Sequence, residues 1–487
     1  MLPFLFTQAF FDVNSNVRNA YMYSTYLEFD KAKDLLNEER KYNSGNNLVL
    51  LNESYIDFLV IMIGEDIDLF HESTKIKENR LETIKNDSQL NSPYYLFSLS
   101  EIYLRSAFLN IKFKQYFKGV YDITKAYSLL KDNQEKFPQF ALNKKGLGFL
   151  NIIIGSVPKN YNWVLDIANI EGEVDYGFDM LYTFLDITEK SEEFSMYNEE
   201  ILFLISFLEM NIKEDSDNLN SLLKKIEKKD TISPLLIFTS ARICVKLSRN
   251  DQAIKILENR TISKSQFPFL YLDYLLGMSK LYKLDYNAKH HFEYFINEFN
   301  GSNYIKSAYY QLYLISFLEG DFEKSSYYLD NSRSKGGLIL DEDKKAHNDA
   351  VKDKTPQINL ISARFLYDGG YYKKSLNQLE KIHNPNLLSN SEDYIEYWYR
   401  KGRIMQALNK KEKMLEYFKE AYISGTDSKT YFSAMSALQL AKEYEKLGNL
   451  TLAKKYYNMC LSMSGFEYQK SIHFKAKSSL NRLGSNI

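Results

Sequence analysis

Histidines, the residues best suited to acid–base and metal chemistry at neutral pH, are few in this sequence, and their spacing is unfavourable. Six histidines occur, and the adjacent pair His290 and His291 would point about 100° apart on a helix, so they could not easily bind one metal ion. The segment GLGFLN, which contains Gly146 and Gly148, lacks the third glycine of a dinucleotide-binding loop and follows a helical rather than a strand pattern. No HExxH, GxSxG or Walker-type motif is present. We therefore predict no catalytic residue, no metal site and no cofactor, and we expect the two glycines to allow close contact between helices.

Carboxylates close together in the sequence are the other candidates for chemistry. Paired-acid catalysis needs two carboxylates that converge on a cleft from separate elements. Asp341 and Asp343, like Glu199 and Glu200, instead lie in charged runs. We expect both pairs to lie on solvated faces. Trp163 is more typical of a core anchor than of a ligand platform.

The composition indicates a helical protein without a strong charge preference for its partner. In 487 residues, 62 Lys and Arg face 63 Asp and Glu, which argues against nucleic-acid binding through bulk charge and against a polybasic membrane-surface protein. Only 8 Pro and 20 Gly occur, so long helices are favoured over a loop-rich fold. No uninterrupted apolar stretch approaches the length of a membrane-spanning helix, so we predict no integral span, while association with a membrane complex stays open.

Two features bear on the cellular compartment. Cys244 and Cys460 each lie in an apolar helical stretch, so buried free thiols are expected rather than a disulfide or a zinc site. The segment from Leu2 to Phe11 is largely apolar and contains Thr-Gln-Ala ending at Ala9, but no Lys or Arg precedes it. It favours a short signal peptide at residues 1–9 and an extracytoplasmic location. The alternative is a buried first segment of a cytoplasmic protein.

The chain contains an internal repeat of helical hairpins. ISARFLYDGGYYKKSLNQLEKIHNP, from Ile361, aligns with LQLAKEYEKLGNLTLAKKYYNMCL, from Leu438. This pattern resembles the tetratricopeptide repeat, in which small residues at positions eight and twenty let two helices approach and a glycine near position fifteen makes the turn. Position eight holds Ala241, Gly277, Tyr313, Ala363, Gly402 and Ala441. The resemblance implies an all-α, right-handed superhelix of seven to nine stacked hairpins with no sheet, in which the hairpins that carry Tyr313 and Met414 are splayed or repacked.

A second resemblance concerns the amino-terminal half, where NAYMYSTYLEFDKAKDLLNEE reads as a first repeat. The block that starts with GLGFLN and continues through GSVP resembles the tetratricopeptide family of the yeast inclusion-body clearance protein and its animal relatives. The matching positions are Gly146, Gly148, Gly155, Pro158, Gly172 and Gly177. Members of that family are regarded as repeat scaffolds, so the resemblance implies a scaffold rather than an enzyme.

The repeats predict two continuous stretches in one elongated body. Residues 1–210 form an amino-terminal helical repeat region, and residues 211–487 form a carboxy-terminal tetratricopeptide array. Hydrophilic stretches at 71–92, 211–230 and 340–357 are interpreted as links, either solvated helices or loops. The third would be a charged insertion between two repeats.

The first helix of each tetratricopeptide hairpin lines the inner groove, which makes its inward positions the candidate binding site. The candidate residues are Arg242, Arg364, Arg403 and Lys442 at position nine, Tyr310 and Tyr399 at position five, and Phe317 and Tyr367 at position twelve. Cations beside aromatic rings could hold an acidic or carboxylate-ended peptide through charge-assisted hydrogen bonds and stacking. The alternative is that Lys and Arg fill half-exposed positions by default.

These features predict a non-catalytic scaffold that binds a partner protein or peptide in its concave groove, and the groove cations favour an acidic partner. The alternative function is that of an enzyme, or of a lipid or small-molecule carrier, that uses an internal cavity lined by the aromatic residues of the amino-terminal half.

Overall fold

The computed structural model describes residues 10–86, 90–157, 170–229, 231–261, 263–352, 354–388 and 391–484. Within these ranges the chain forms twenty-four α-helices and no β-sheet, only one isolated bridge between Phe10 and Asn46. The all-α prediction is confirmed. The predictions that fall on residues 1–9, on Pro158 and on Trp163 lie outside the described residues.

The helices follow one another with short connections. The first twelve are α1 Ser15–Thr25, α2 Phe29–Tyr42, α3 Leu48–Gly64, α4 Ile67–Asn86, α5 Pro93–Lys112, α6 Tyr116–Lys136, α7 Leu142–Gly155, α8 Val174–Lys190, α9 Asn198–Leu208, α10 Ser216–Glu227, α11 Pro234–Lys246 and α12 Asn250–Glu258. The second twelve are α13 Tyr271–Tyr282, α14 Ala288–Glu298, α15 Ile305–Glu319, α16 Phe322–Ser334, α17 Asp341–Lys352, α18 Ile358–Asp368, α19 Tyr372–Glu380, α20 Ser391–Ala407, α21 Lys411–Ile423, α22 Tyr431–Lys446, α23 Leu450–Ser462 and α24 Gln469–Gly484.

Consecutive helices pair into eleven hairpins in the described part of the chain, more than the seven to nine expected. The additional hairpins lie in the amino-terminal half, where the residues of the repeat motif are less regular. One is α9 with α10, because the stretch 211–230 is not a link. Its helix α10 buries Leu219, Leu222, Leu223 and Ile226 against its neighbours, and this apolar stripe at helical spacing makes it a structural helix.

The turns within the hairpins explain the glycines near position fifteen. Gly320, Gly370 and Gly448 have φ values of 80°, 80° and 76°, a left-handed conformation that glycine adopts without steric cost. Ser248 and Asn409 occupy the same left-handed region at equivalent turns, with φ values of 61° and 57°.

The hairpin that carries Tyr313 is closed rather than splayed. The Ser325 hydroxyl of α16 donates to the Tyr313 carbonyl of α15 at 3.4 Å, as the Ser375 hydroxyl donates to the Ala363 carbonyl at 2.6 Å in the α18–α19 hairpin. Met414 is buried in its own hairpin. Both hairpins therefore accommodate their large residues by repacking.

Glycines set the distance between α7 and α8. A Cβ atom on Gly177 would lie 2.6 Å from the carbonyl oxygen of Gly148, and one on Gly155 would lie 2.8 Å from the carbonyl oxygen of Gly172. A Cβ atom on Gly146 would instead lie 2.6 Å from the side chain of Leu130 in α6. The expected role of Gly146 and Gly148 in close helix contact is confirmed.

The apolar core is divided into successive clusters along the array. Its first cluster extends from Val17 to Leu236 and so includes residues on both sides of position 210. The division into 1–210 and 211–487 stays a prediction. Cys244 and Cys460 are buried free thiols, as expected.

The array curls back on itself through contacts that we call the amino-terminal closure. The Phe267 backbone N–H donates to the carbonyl of Leu27 at 2.8 Å. The Glu65 carboxylate, just after α3, accepts from the backbone N–H groups of Ser302 at 3.0 Å and Asn303 at 3.1 Å. The first hairpins therefore contact segments more than 230 residues later in the chain.

The charged insertion at 340–357 contains helix α17, which packs against α15 and α16. Asp343 is fully buried, and its carboxylate accepts from the backbone N–H groups of Tyr304 at 2.6 Å and Ser307 at 3.0 Å. It therefore caps the amino terminus of α15, where unpaired N–H groups favour an acceptor. Ala346 and Ala350 are buried on the same helix. The insertion is thus a packed element, and the solvated location expected for Asp343 is wrong.

Glu199 and Glu200 also lie away from the solvated face expected for them. The Glu199 carboxylate is buried and accepts from the Ser233 backbone N–H at 2.9 Å. Glu200 is half-buried and pairs with Lys145 at 3.1 Å and with the Tyr21 hydroxyl at 2.5 Å. Both acids are placed by buried partners from distant helices, which a local charged run does not reveal.

Candidate partner-binding groove

Three of the predicted cations lie on successive first helices of the carboxy-terminal hairpins. Arg364 is on α18, Arg403 on α20 and Lys442 on α22. The helices α20 and α22 are joined by a hydrogen bond from Gln406 Nε2 to Gln439 Oε1 at 3.1 Å. The repeat register therefore placed these residues on neighbouring helices.

Arg364 is the cation that faces open space. Together with Tyr310 it lines two adjoining cavities of about 150 Å³ and 170 Å³, which share α17 as a wall through Lys345 and Asp349. Among the described residues its guanidinium makes no ion pair, and it lies 5.0 Å from the ring of its own neighbour Phe365. It is half-buried, so a carboxylate bound there would be partly shielded from solvent.

The other charges of the first cavity are largely neutralised by each other. Its paired cations are Lys354 with Asp393 at 2.6 Å, Lys345 with Asp349 at 2.8 Å, Lys352 with Glu467 at 2.9 Å, and Arg400 with Glu396. Burial would raise the pKa of Glu396, but Arg400 and Arg364 outweigh it and hold that pKa below its usual range. Of the described cations that line this cavity, only Arg364 and the exposed Lys429 have no carboxylate partner.

Arg403 is held between aromatic rings. Its guanidinium carbon lies 5.2 Å from the centroid of Tyr367 and 5.9 Å from that of Tyr399, and its Nη1 donates to the Tyr399 hydroxyl at 3.0 Å. Tyr399 itself is buried against Phe432 with ring centroids 5.2 Å apart. This group joins α18 to α20 and contributes packing as well as charge.

The remaining candidates lie apart from the two cavities. Lys442 is near Lys446 and Lys475, and burial together with repulsion from these lysines lowers its pKa. Arg242, on α11, donates to the Tyr271 hydroxyl at 3.3 Å. Phe317 packs against Tyr313 and Phe322 at the turn from α15 to α16.

The sequence interpretation missed the contribution of α17 to the groove. Lys345 and Asp349 lie beside Arg364 and Asp368 along the second cavity. Burial raises the pKa of Asp368, although Arg400 and Arg364 oppose the shift. The alanines Ala346 and Ala350, four residues apart in a charged segment, were the signal that one face of this helix packs.

A third and larger cavity, of about 480 Å³, lies at the amino-terminal closure. Its walls come from α3, α5, α7, α9 and α11 on one side and from residues 269–304 on the other. Twelve of its twenty-six lining residues are aromatic.

Comparison with known sequences identifies repeats at the carboxy-terminal end. The tetratricopeptide repeat family matches residues 395–422 and 436–465, which span most of α20–α21 and α22–α23. These two segments are similar to tetratricopeptide repeats. They carry Tyr399, Arg403 and Lys442. No curated protein matches the sequence.

Three solved structures match over most of their own length at low sequence identity. A Rap protein complexed with competence and sporulation factor is 13% identical with a TM-score of 0.32, covering 84% of this chain and 96% of that one. The APC/C hetero-tetramer Cut9–Hcn1 is 12% identical with a TM-score of 0.25, and the coverage is 94% and 95%. Yeast Tom70 is 12% identical with a TM-score of 0.24, and the coverage is 96% of both chains.

Two kinds of feature are absent from the described residues. No helix there is long and apolar enough to cross a membrane. Within the same residues, no group of three or more His, Cys, Asp or Glu side chains is placed to hold a metal ion.

Proposed function

We propose that this chain is a non-catalytic scaffold that binds a partner protein or peptide in the concave groove of its carboxy-terminal half. The two tetratricopeptide segments support an interaction role. The observation that carries the proposal is Arg364, a half-buried cation that lines two adjoining cavities and makes no direct ion pair among the described residues, although its charge acts on Glu396 and Asp368. An unpaired guanidinium in a groove is suited to a carboxylate, which it binds through two parallel hydrogen bonds.

The proposed ligand is an extended peptide that brings an acidic side chain or its terminal carboxylate to Arg364. Tyr310 lies beside this position and offers a ring and a hydroxyl. Arg403, which is held between Tyr367 and Tyr399, would contribute mainly by keeping the groove rigid. Lys442 lines neither cavity, so we assign it a smaller role than Arg364.

The test starts with capture of the partner from the native organism, using the full chain as bait, followed by affinity measurement. A hydrogen-bonded charge contact contributes about 1.5–3 kcal/mol, so Arg364→Gln should weaken binding by about ten- to a hundredfold and reduce its salt dependence. The matched control is Arg40→Gln, an exposed arginine on α2 that pairs with Glu53. Unchanged affinity and salt dependence for Arg364→Gln would exclude this site.

Several finer features belong to the same proposal. The acidic character of the partner, a membrane-associated complex and an extracytoplasmic location stay predictions. So does the resemblance to the inclusion-body clearance family, which the close contacts of Gly148 with Gly177 and of Gly155 with Gly172 support.

A further inference from the structure

The cavity at the amino-terminal closure has the size and the lining of a ligand site. Its volume of about 480 Å³ lies in the range of about 300–1,000 Å³ typical of small-molecule pockets. Phe203 and Phe207 line it as a stacked pair with ring centroids 6.3 Å apart, and Phe207 is 43% exposed. Aromatic side chains that are exposed inside a concavity lose little conformational freedom when an apolar ligand covers them, and they gain buried apolar surface. This wall therefore favours binding of an apolar ligand.

The closure turns an inner surface into a bounded cavity. Glu65 lies on one side of it and Tyr304 on the other. The Glu65 carboxylate accepts from the side-chain amide of Asn303 at 2.6 Å, next to the backbone contacts described above. The ring of Phe267 packs on Phe29 beside this junction with centroids 5.5 Å apart. The two walls are therefore fixed to each other by polar and apolar contacts.

Every charged side chain that lines this cavity is paired within the chain. Glu65 pairs with Lys112 at 2.8 Å, Lys145 with Glu101 at 2.9 Å and with Glu200 at 3.1 Å, and Arg105 with Glu101 at 3.4 Å. Three acids and three cations leave no net charge in the lining. This differs from the carboxy-terminal groove, where Arg364 has no carboxylate partner.

We propose that this cavity is a binding site for an uncharged, largely apolar small molecule with an aromatic or long aliphatic body. A charged ligand would lose hydration without meeting a free counter-charge. The aromatic walls supply apolar contact over most of the ligand surface. This site is separate from the groove at Arg364, and it stands whether or not that groove binds a peptide.

The first test is fluorescence titration of the full chain with N-phenyl-1-naphthylamine, an uncharged apolar probe. Binding should be saturable, with one site per chain. Met62 lines the cavity, and Met62→Trp should fill part of it and raise the Kd at least tenfold. Met22→Trp is the control, because Met22 is 46% exposed on α1 and does not line the cavity. Absence of saturable binding, or equal Kd values for native and Met62→Trp chains, would overturn the proposal.

The second test concerns charge. Its deciding comparison, between two competing ligands, uses the native chain, so it decides the proposal even if a substitution lowers helicity. Decan-1-ol and decanoate differ in their head group and share their alkyl chain. Decan-1-ol should displace the probe at a concentration at least tenfold lower than decanoate. Equal or better displacement by decanoate would show that a free cation governs the site, which the described ion pairs exclude. Arg364→Gln should leave the probe titration unchanged, which separates this site from the groove.

Discussion

Replacing Lys145 with methionine should strongly destabilise the protein. The Lys145 side chain is only 5% exposed, and its Nζ lies 2.9 Å from Glu101 Oε2 and 3.1 Å from Glu200 Oε2. Methionine keeps most of the apolar stem but removes the charge, which leaves Glu101 buried with only Arg105 at 3.4 Å. Breaking a buried ion pair in this way costs about 3–5 kcal/mol, because the Glu101 carboxylate stays buried and keeps only its longer contact with Arg105.

The pH dependence of the deficit gives an independent check. In the native chain burial would raise the pKa of Glu101, but Lys145 and Arg105 outweigh it and hold the pKa below its usual range. Native stability from this acid is therefore present above its unfolded pKa and is lost as the pH falls through its folded pKa. Without Lys145, burial dominates and Glu101 takes up a proton more readily. The deficit of Lys145→Met should therefore shrink as the pH falls from about 7 towards the usual glutamate pKa of about 4.3.

Urea unfolding followed by circular dichroism measures both effects. Adding Glu101→Gln to Lys145→Met should recover part of the lost stability, because it removes a buried carboxylate that has lost its nearest cation, while Arg105 in turn loses its carboxylate. The control is Lys225→Met, which breaks an exposed pair with Glu189 and should cost less than about 1 kcal/mol. If Lys145→Met costs no more than the Lys225 control, or if Glu101→Gln restores nothing, the buried network does not act as described.

Three further predictions concern burial elsewhere in the array. Burial raises the pKa of Asp343 to about 6, so the folded chain binds this proton more tightly than the unfolded chain and loses stability as the pH rises from about 4 to 7. The free energy of unfolding of Asp343→Asn should therefore rise by up to about 3 kcal/mol relative to the native chain over this range. The same pH dependence of the unfolding free energy in both chains would refute this. Gly177→Ala would place a Cβ 2.6 Å from a backbone carbonyl of α7 and should cost about 1–3 kcal/mol in thermal unfolding, whereas Gly484→Ala, with open space around it, should cost nothing. Burial raises the pKa of Cys244 and of Cys460 to about 12, so neither thiol should react with a disulfide reagent at pH 8 until urea is added. Rapid labelling of the native chain would contradict the burial of these thiols.

The helices and their turns were predictable because their signals are local. Alanine or glycine at a helix crossing and glycine in the turn act within one hairpin, as Gly320, Gly370 and Gly448 show by their left-handed φ values. A short motif of this kind determines the helix–turn–helix geometry of its own hairpin from local residues. The same locality left the Tyr313 hairpin open between splaying and repacking, since repacking of the surrounding aromatic rings depends on residues outside the motif.

The candidate site was predictable only in part because contacts between helices decide it. The register of the sequence repeat predicted that Arg364, Arg403 and Lys442 lie on neighbouring helices. It could not show that the Arg403 guanidinium packs on the ring of Tyr367, which belongs to another hairpin. The position of α17 depends on the buried contact of Asp343 with the start of α15. No local pattern distinguishes such a residue from a solvated acid.

The amino-terminal closure has a consequence for synthesis of the chain on the ribosome. A linear repeat array can fold from its first hairpin onwards as it emerges, but Leu27 finds its partner Phe267 only after about 240 further residues. At about 5–20 residues per second, this is a delay of roughly 10–50 s. During that time Phe29 and the polar groups near it lack their final neighbours, so the nascent chain has a defined interval in which chaperones could engage its amino-terminal end. The closure thus makes the first hairpin among the last to reach its native surroundings.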